Sequence, residues 1–155
     1  MSRLRRSGRA RALAELRSPG EFLLFIRVAG FAVAVPLLMR LPLPRVAALL
    51  TRSPRRRAQG RLGRDEVQQL ERMIALAPRV AWPLVRHGCL TRGVTLFWYL
   101  RRAGLNVELR FGLDPATDGE TDGHCWLALG GEPFLEKRDP RPRFAELYRL
   151  PLAAE

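Results

Sequence analysis

Several things are scarce in this 155-residue chain, and each scarcity closes off a class of protein. There are two cysteines, Cys89 and Cys125, too few for a disulfide framework. Together with His87 and His124 they are its only Cys/His donors, and their spacing matches no zinc pattern. No metal and no cofactor is expected, and reduced thiols fit a cytoplasmic protein. A long unbroken apolar run is also missing. Phe22 to Met39 is interrupted by Arg27 and Pro36, and only 12 residues lie between Arg27 and Arg40. A bilayer span wants about 20 apolar residues. Arg40, Pro42, Pro44 and Arg45 follow where a signal peptide would end in small residues. The segment is expected to be a buried or interfacial helix.

Acidic residues are scarce at one end only. Residues 1–64 carry 15 Arg and 2 Glu, a net +13, whereas residues 65–155 carry 12 basic and 13 acidic side chains, a net −1. Only one of the 27 basic residues is lysine, the usage of a GC-rich bacterial genome. The positive end suits an acidic partner or an anionic membrane surface. Nucleic acid is not expected, because no aromatic side chain interrupts the basic run of residues 51–64 to offer a stacking platform.

The pattern predicts an α+β protein in two parts, a basic, apolar helical region over 1–63 and a second domain over 64–155. Helices are expected over 21–39 and around Val46, Leu49 and Leu50, then a Pro- and Gly-bearing linker over 51–63. A helix begins at Asp65, capped with Gln68 reaching back, and ends at Pro78. Residues 79–88 form a loop containing Trp82. A helix apolar on most of its surface runs from Cys89 to Ala103, stopped by Gly104. Leu105–Phe111 alternates strictly and reads as a half-buried strand. An acidic loop, a strand over His124–Leu129, a turn at Gly130-Gly131 and a short strand over Glu132–Glu136 follow. The proline-rich tail is expected to cover the surface.

Cys89 and His124 carry the chemistry. A thiol at a helix N-terminus lies at the positive end of the helix dipole, which favours thiolate. A histidine on a neighbouring strand supplies the base, and a carboxylate should orient it. Glu136 is the candidate. It shares the face of His124 only if the hairpin has a three-residue turn or a bulge; a two-residue turn sets Glu136 opposite Cys125, on the wrong face. Asp139 is the alternative third residue. The Cys89 N–H, with the Trp82 indole as second donor, is a candidate oxyanion site. Arg92 and Trp126 are candidate substrate contacts. Cys125 alternates away from His124 and reads as a core residue.

Residues 88–149 resemble the transglutaminase-like cysteine peptidase of lasso-peptide biosynthesis. The resemblance rests on Cys89-Leu90-Thr91-Arg92, Leu100-Arg101-Arg102-Ala103-Gly104, Phe111-Gly112 and Gly123-His124-Cys125-Trp126, with Glu136 where the family has Asp and Cys125 where it has Ala. Leu41-Pro42-Leu43-Pro44 resembles the helical region that precedes the peptidase. The resemblance implies a papain- or transglutaminase-like core and a Cys89–His124–Glu136 triad that removes the leader of a ribosomally made precursor peptide. It also implies partners, namely a separate winged-helix protein that recognises the leader, and the lasso cyclase. The alternative is an inactive binding or scaffold protein on the same fold, distinguished by an unactivated Cys89 thiol.

Overall fold

The computed structural model describes residues 16, 18–51, 63–80, 88–115 and 122–151. Trp82, most of the 51–63 linker and most of the acidic loop lie outside them. Four helices precede a four-stranded antiparallel sheet: α1 Pro19–Leu38, α2 Leu43–Thr51, α3 Arg64–Val80, α4 Cys89–Arg102, β1 Val107–Leu113, β2 Gly123–Leu129, β3 Glu132–Phe134 and β4 Ala145–Leu150. The sheet order is β3-β2-β1-β4. The α+β expectation holds.

Helix α1 opens on Ser18, whose hydroxyl accepts from the Glu21 N–H at 3.2 Å, with Pro19 in the first turn. It then runs 20 residues straight through Arg27 and Pro36. The apolar run is therefore less broken than its sequence suggests, and the helix is long and apolar enough to cross a membrane by length and composition alone. Its inner face belongs to the core. Phe25, Val28, Ala32 and Val35 are buried in one cluster with Met73 of α3, Phe97 and Leu100 of α4, and Leu109 and Leu127 of the sheet. Phe31 stacks on Trp98 with centroids 5.2 Å apart, and Glu21 pairs with Arg72.

The α3 cap lies two residues before the expected one. Gly63 accepts the first helical bond from the Val67 N–H, and its own N–H donates to the Glu66 carboxylate at 2.9 Å. Glu66 thus plays the part expected of Gln68, because it stands three residues after the capping position. Pro78 does not end the helix, which continues to Val80 with Pro78 buried in its last turn.

Helix α4 is brought down onto the sheet by Gly93. A Cβ there would lie 2.9 Å from Cys125 Sγ and 3.0 Å from Leu109 Cδ1, so a side chain would lift the helix off β2 and β1. Gly112 does the same on the opposite face of the sheet, where a Cβ would meet the Ala145 carbonyl at 2.8 Å and the Trp126 ring at 3.0 Å.

One expectation about the sheet fails, and one alternative left open is decided. The tail is not merely a cover: Ala145–Leu150 forms β4, paired to β1 with Leu147 bulged out between Tyr148 and Glu146. The hairpin also has the two-residue turn, with Leu129 opposite Glu132 and Leu127 opposite Phe134. Gly130 and Gly131 both adopt positive φ, as a tight turn of this kind requires. By that register Glu136 would fall on the wrong face.

Candidate active site

The chain rescues Glu136 by breaking the strand. β3 stops at Phe134, and Leu135 turns into the left-handed region at φ 61, the one non-glycine positive φ among the described residues. For a leucine this conformation is strained. It redirects the next side chain, and Glu136 Oε2 comes to 3.5 Å from His124 Nε2, an ion-pair contact at the outer limit of hydrogen bonding. Neither condition expected for Glu136, a three-residue turn or a bulge, operates; the strand ends and the left-handed Leu135 reverses the face instead.

Arg92 holds this turn in place. From the first turn of α4 its Nη1 donates to Glu136 Oε1 at 2.8 Å, and its Nη2 donates to the Leu135 carbonyl and, at 3.1 Å, to Glu71 Oε1 of α3. One carboxylate oxygen is gripped by the guanidinium and the other is left for the imidazole. The Glu136 side chain is only 11 % exposed, so the arginine also supplies the countercharge that a buried carboxylate needs. Of the two readings open for Arg92, a salt-bridge partner or a substrate contact, the structure shows the first: three of its donors go to the protein.

His124 is the second residue of β2 and lies beside the start of α4. Its ring lies nearly parallel to that of Trp126, 13° between planes and 6.1 Å between centroids, and Phe144 closes against it at 5.1 Å. Trp126 is 1 % exposed, which makes it a wall behind the imidazole and leaves no surface for substrate. Phe144 had no signal in the sequence, being one aromatic residue in a tail of Pro and Arg. It is steadied by Arg143, which stacks on its ring and bonds Asp114 and Asp122 at 2.7 Å each, tying the base of the acidic loop to the histidine's wall. Asp139 is turned away, engaged by Arg141, so the structure brings Glu136 and not Asp139 to His124.

Cys89 is the first residue of α4, after Gly88 in extended conformation. The first helical turn leaves backbone N–H groups without helical acceptors, and Gly88 brings no side chain to take one. The half-buried thiol has the Gly123 carbonyl at 3.9 Å and is within hydrogen-bonding reach of both the Cys125 thiol and the His124 imidazole. Hydrogen bonding from Cys125 is the largest influence on it. Burial opposes ionisation, and the bond to His124 and its charge add to the lowering; the outcome is a Cys89 pKa of about 5. The Cys125 thiol moves the other way, held protonated first by its bond to Cys89 and then by burial. Of the two neighbouring sulfurs, the one whose pKa is lowered is the half-exposed one at the helix N-terminus beside an imidazole. Cys125 is a core residue, as its alternation indicated, but its S–H also serves the nucleophile.

A thiol, an imidazole and a carboxylate therefore meet around the N-terminus of one helix and the start of one strand. Among the described residues no group of His, Cys, Asp and Glu could hold a metal ion. No curated protein and no solved structure matches the chain. The family model described as "Transglutaminase-like superfamily" matches residues 31–149, from the middle of α1 to the end of β4. With helix, sheet and thiol arranged in this way and the match spanning most of its length, the chain belongs to the transglutaminase-like superfamily.

Proposed function

We propose that the protein is a cysteine peptidase that removes the leader segment from a ribosomally synthesised precursor during lasso-peptide maturation. The observation that carries the reading is the convergence of Cys89, His124 and Glu136, with the thiol pKa lowered to about 5. At neutral pH such a sulfur is a thiolate, the form that attacks a peptide carbonyl. Attack gives a tetrahedral oxyanion, and N–H groups of the first turn of α4 are in place to receive it. The His124 imidazolium gives its proton to the departing amine of the core, leaving the leader as an acyl group on the Cys89 sulfur. Neutral imidazole then takes a proton from the attacking water, which releases the leader as its acid and restores the thiolate and the imidazolium. Glu136 keeps the ring in the required orientation throughout, and Arg92 keeps Glu136 in place.

The choice of leader removal over other acyl transfers is supported by the Cys-Leu-x-Arg start of α4, the Gly-His-x-Trp start of β2 and the Leu-Pro-Leu-Pro segment before α2. On this reading the substrate is the precursor peptide. A separate winged-helix protein presents the leader, and the lasso cyclase takes the released core.

The test is cleavage of a lasso-peptide precursor bearing its leader, followed by mass spectrometry, with a winged-helix leader-recognition protein present. Wild-type protein should cut at one bond, and Cys89→Ala should abolish cutting while the circular dichroism spectrum and melting temperature are retained. Undiminished cleavage by Cys89→Ala would remove the nucleophile and the mechanism with it.

A further inference from the structure

Helix α1 is apolar on both sides, yet only one side is used. Phe25, Val28, Ala32 and Val35 face the core, whereas Phe22, Leu23, Ile26 and Leu37 face outward and are 48 %, 59 %, 50 % and 62 % exposed. Ala34 continues the outward stripe between Ile26 and Leu37, and Leu41, Leu43 and Leu49 extend it past the α1–α2 turn. A helix apolar all round is ordinarily covered all round. Contiguous exposed apolar surface of this kind marks an interaction site.

Charge identifies what covers it. Between Glu21 and Asp65 the sequence has no acidic residue and nine arginines. Arg27, Arg40 and Arg45 are exposed beside the stripe, and Glu21, at its start, is engaged by Arg72. A second copy of this chain would bring the same positive rim against itself. An anionic bilayer surface satisfies both features together, apolar side chains entering the acyl boundary and arginines meeting the headgroups. Neither signal alone gives stable attachment, and the two together do. Crossing the bilayer is a different matter: it would strip Val28, Ala32 and Val35 from α3 and α4 and expose the Trp98 ring that Phe31 covers.

We propose that the outer face of α1, with the α1–α2 turn, docks the protein peripherally on an anionic lipid surface, the helix lying flat in the interface. The inference is independent of the peptidase reading.

The full chain is floated with vesicles of phosphatidylcholine alone and of phosphatidylcholine mixed with phosphatidylglycerol. Partition into the mixed vesicles should exceed that into neutral ones by about tenfold or more and should fall with added salt. The double variant Ile26→Glu, Leu37→Glu should lower it by about a hundredfold. Because both side chains point outward, that variant should keep the Cys89 alkylation profile of the wild type, which checks that it is folded. Equal partition into the two vesicle types, or none, overturns the proposal. Undiminished partition of the double variant overturns it too, by assigning the binding to the arginines alone. A concentration-dependent dimer in sizing runs that the double variant abolishes would give the face to a second copy and overturn it as well. Resistance of the vesicle-bound protein to alkaline carbonate would replace docking with spanning.

Discussion

The two ends of this chain spend their residues differently. The helical part up to Thr51 is regular: long helices, no described residue other than glycine at positive φ, and almost no polar group in its interior. The part from Cys89 onward holds a strained leucine, a bulged strand, a carboxylate 11 % exposed and two thiols in contact. The proposed chemistry would require such irregularities, because a thiol, an imidazole and a carboxylate must be aimed at one point. The regular part provides the packing against which they are held. Phe97 and Leu100 on α4 pack with the inner face of α1, on the same helix that carries Cys89 and Arg92.

If the two parts share one core, damage to the regular one should disable the irregular one. Val28 is fully buried, and Val28→Asp places an unpaired carboxylate among apolar side chains. It should cost upwards of about 3 kcal/mol. Helical circular dichroism and the low alkylation pKa of Cys89 should be lost in the same transition. Ile26→Asp, two residues away on the outward side, should change stability by no more than about 0.5 kcal/mol. Chemical denaturation of the two variants checks the pair. Retention of an activated Cys89 in an unfolded helical part would show two independent units.

The next effect is confined to the site. Arg92→Met should lower kcat/KM for precursor cleavage about a hundredfold, about 2.7 kcal/mol, and the loss should fall on kcat, because Glu136 orients a group in the transition state and binds no substrate. Arg92→Lys should recover only part of it, since one ammonium cannot hold both the Glu136 carboxylate and the Leu135 carbonyl as the guanidinium fork does. Glu71→Met removes the acceptor of the Arg92 arm that reaches α3 and leaves the other two. It should have little effect on kcat. A loss as large as that of Arg92→Met would make the arginine a tie between helices instead.

How far the sequence spoke for itself follows from the range of each interaction. Helix α4 and strand β2 announce themselves by period, and Cys89 and His124 stand at their starts, so the candidate thiol and imidazole were legible without coordinates. The hairpin turn was not. Gly130-Gly131 accommodates either register, and the register alone argues against Glu136. What restores Glu136 is the backbone of Leu135, and leucine carries no signal for a left-handed conformation. β4 was hidden because Pro140, Pro142 and Pro151 frame it, while its pairing is decided by β1, some 35 residues earlier in the chain. Phe144 and the arm of Arg92 to Glu71 were silent for the same reason, both being contacts between segments distant in sequence.

A smaller effect tests the division of labour between the two sulfurs. Cys125→Ala removes the S–H that donates to Cys89 and restores the residue that the lasso-peptidase resemblance leads one to expect. A thiolate that loses a donor is less stable, so the Cys89 pKa should rise from about 5 toward the free value of about 8.5, by about one to two units. The rate of iodoacetamide alkylation followed against pH gives the inflection directly. It should move to higher pH, and at mildly acid pH the variant should react more slowly. An inflection that stays put would assign the activation of Cys89 to His124 and the helix N-terminus.

The smallest effect on stability is expected where strain and its compensation meet. Leu135→Gly removes the penalty for a side chain in the left-handed region, roughly 1–2 kcal/mol. Against that gain stand the greater freedom of glycine in the unfolded chain and the loss of a leucine that packs on the core. The two sides are of similar size, so the net change should stay within about 1 kcal/mol. Activity should respond more than stability. Glycine accepts other backbone conformations as readily, and Glu136 is then held by Arg92 alone and no longer by the direction of the chain. A several-fold fall in kcat with a nearly unchanged melting temperature is the expected pairing. A stabilised variant of full activity would show the opposite, that the strained turn is a cost the fold bears and the imidazole does not need.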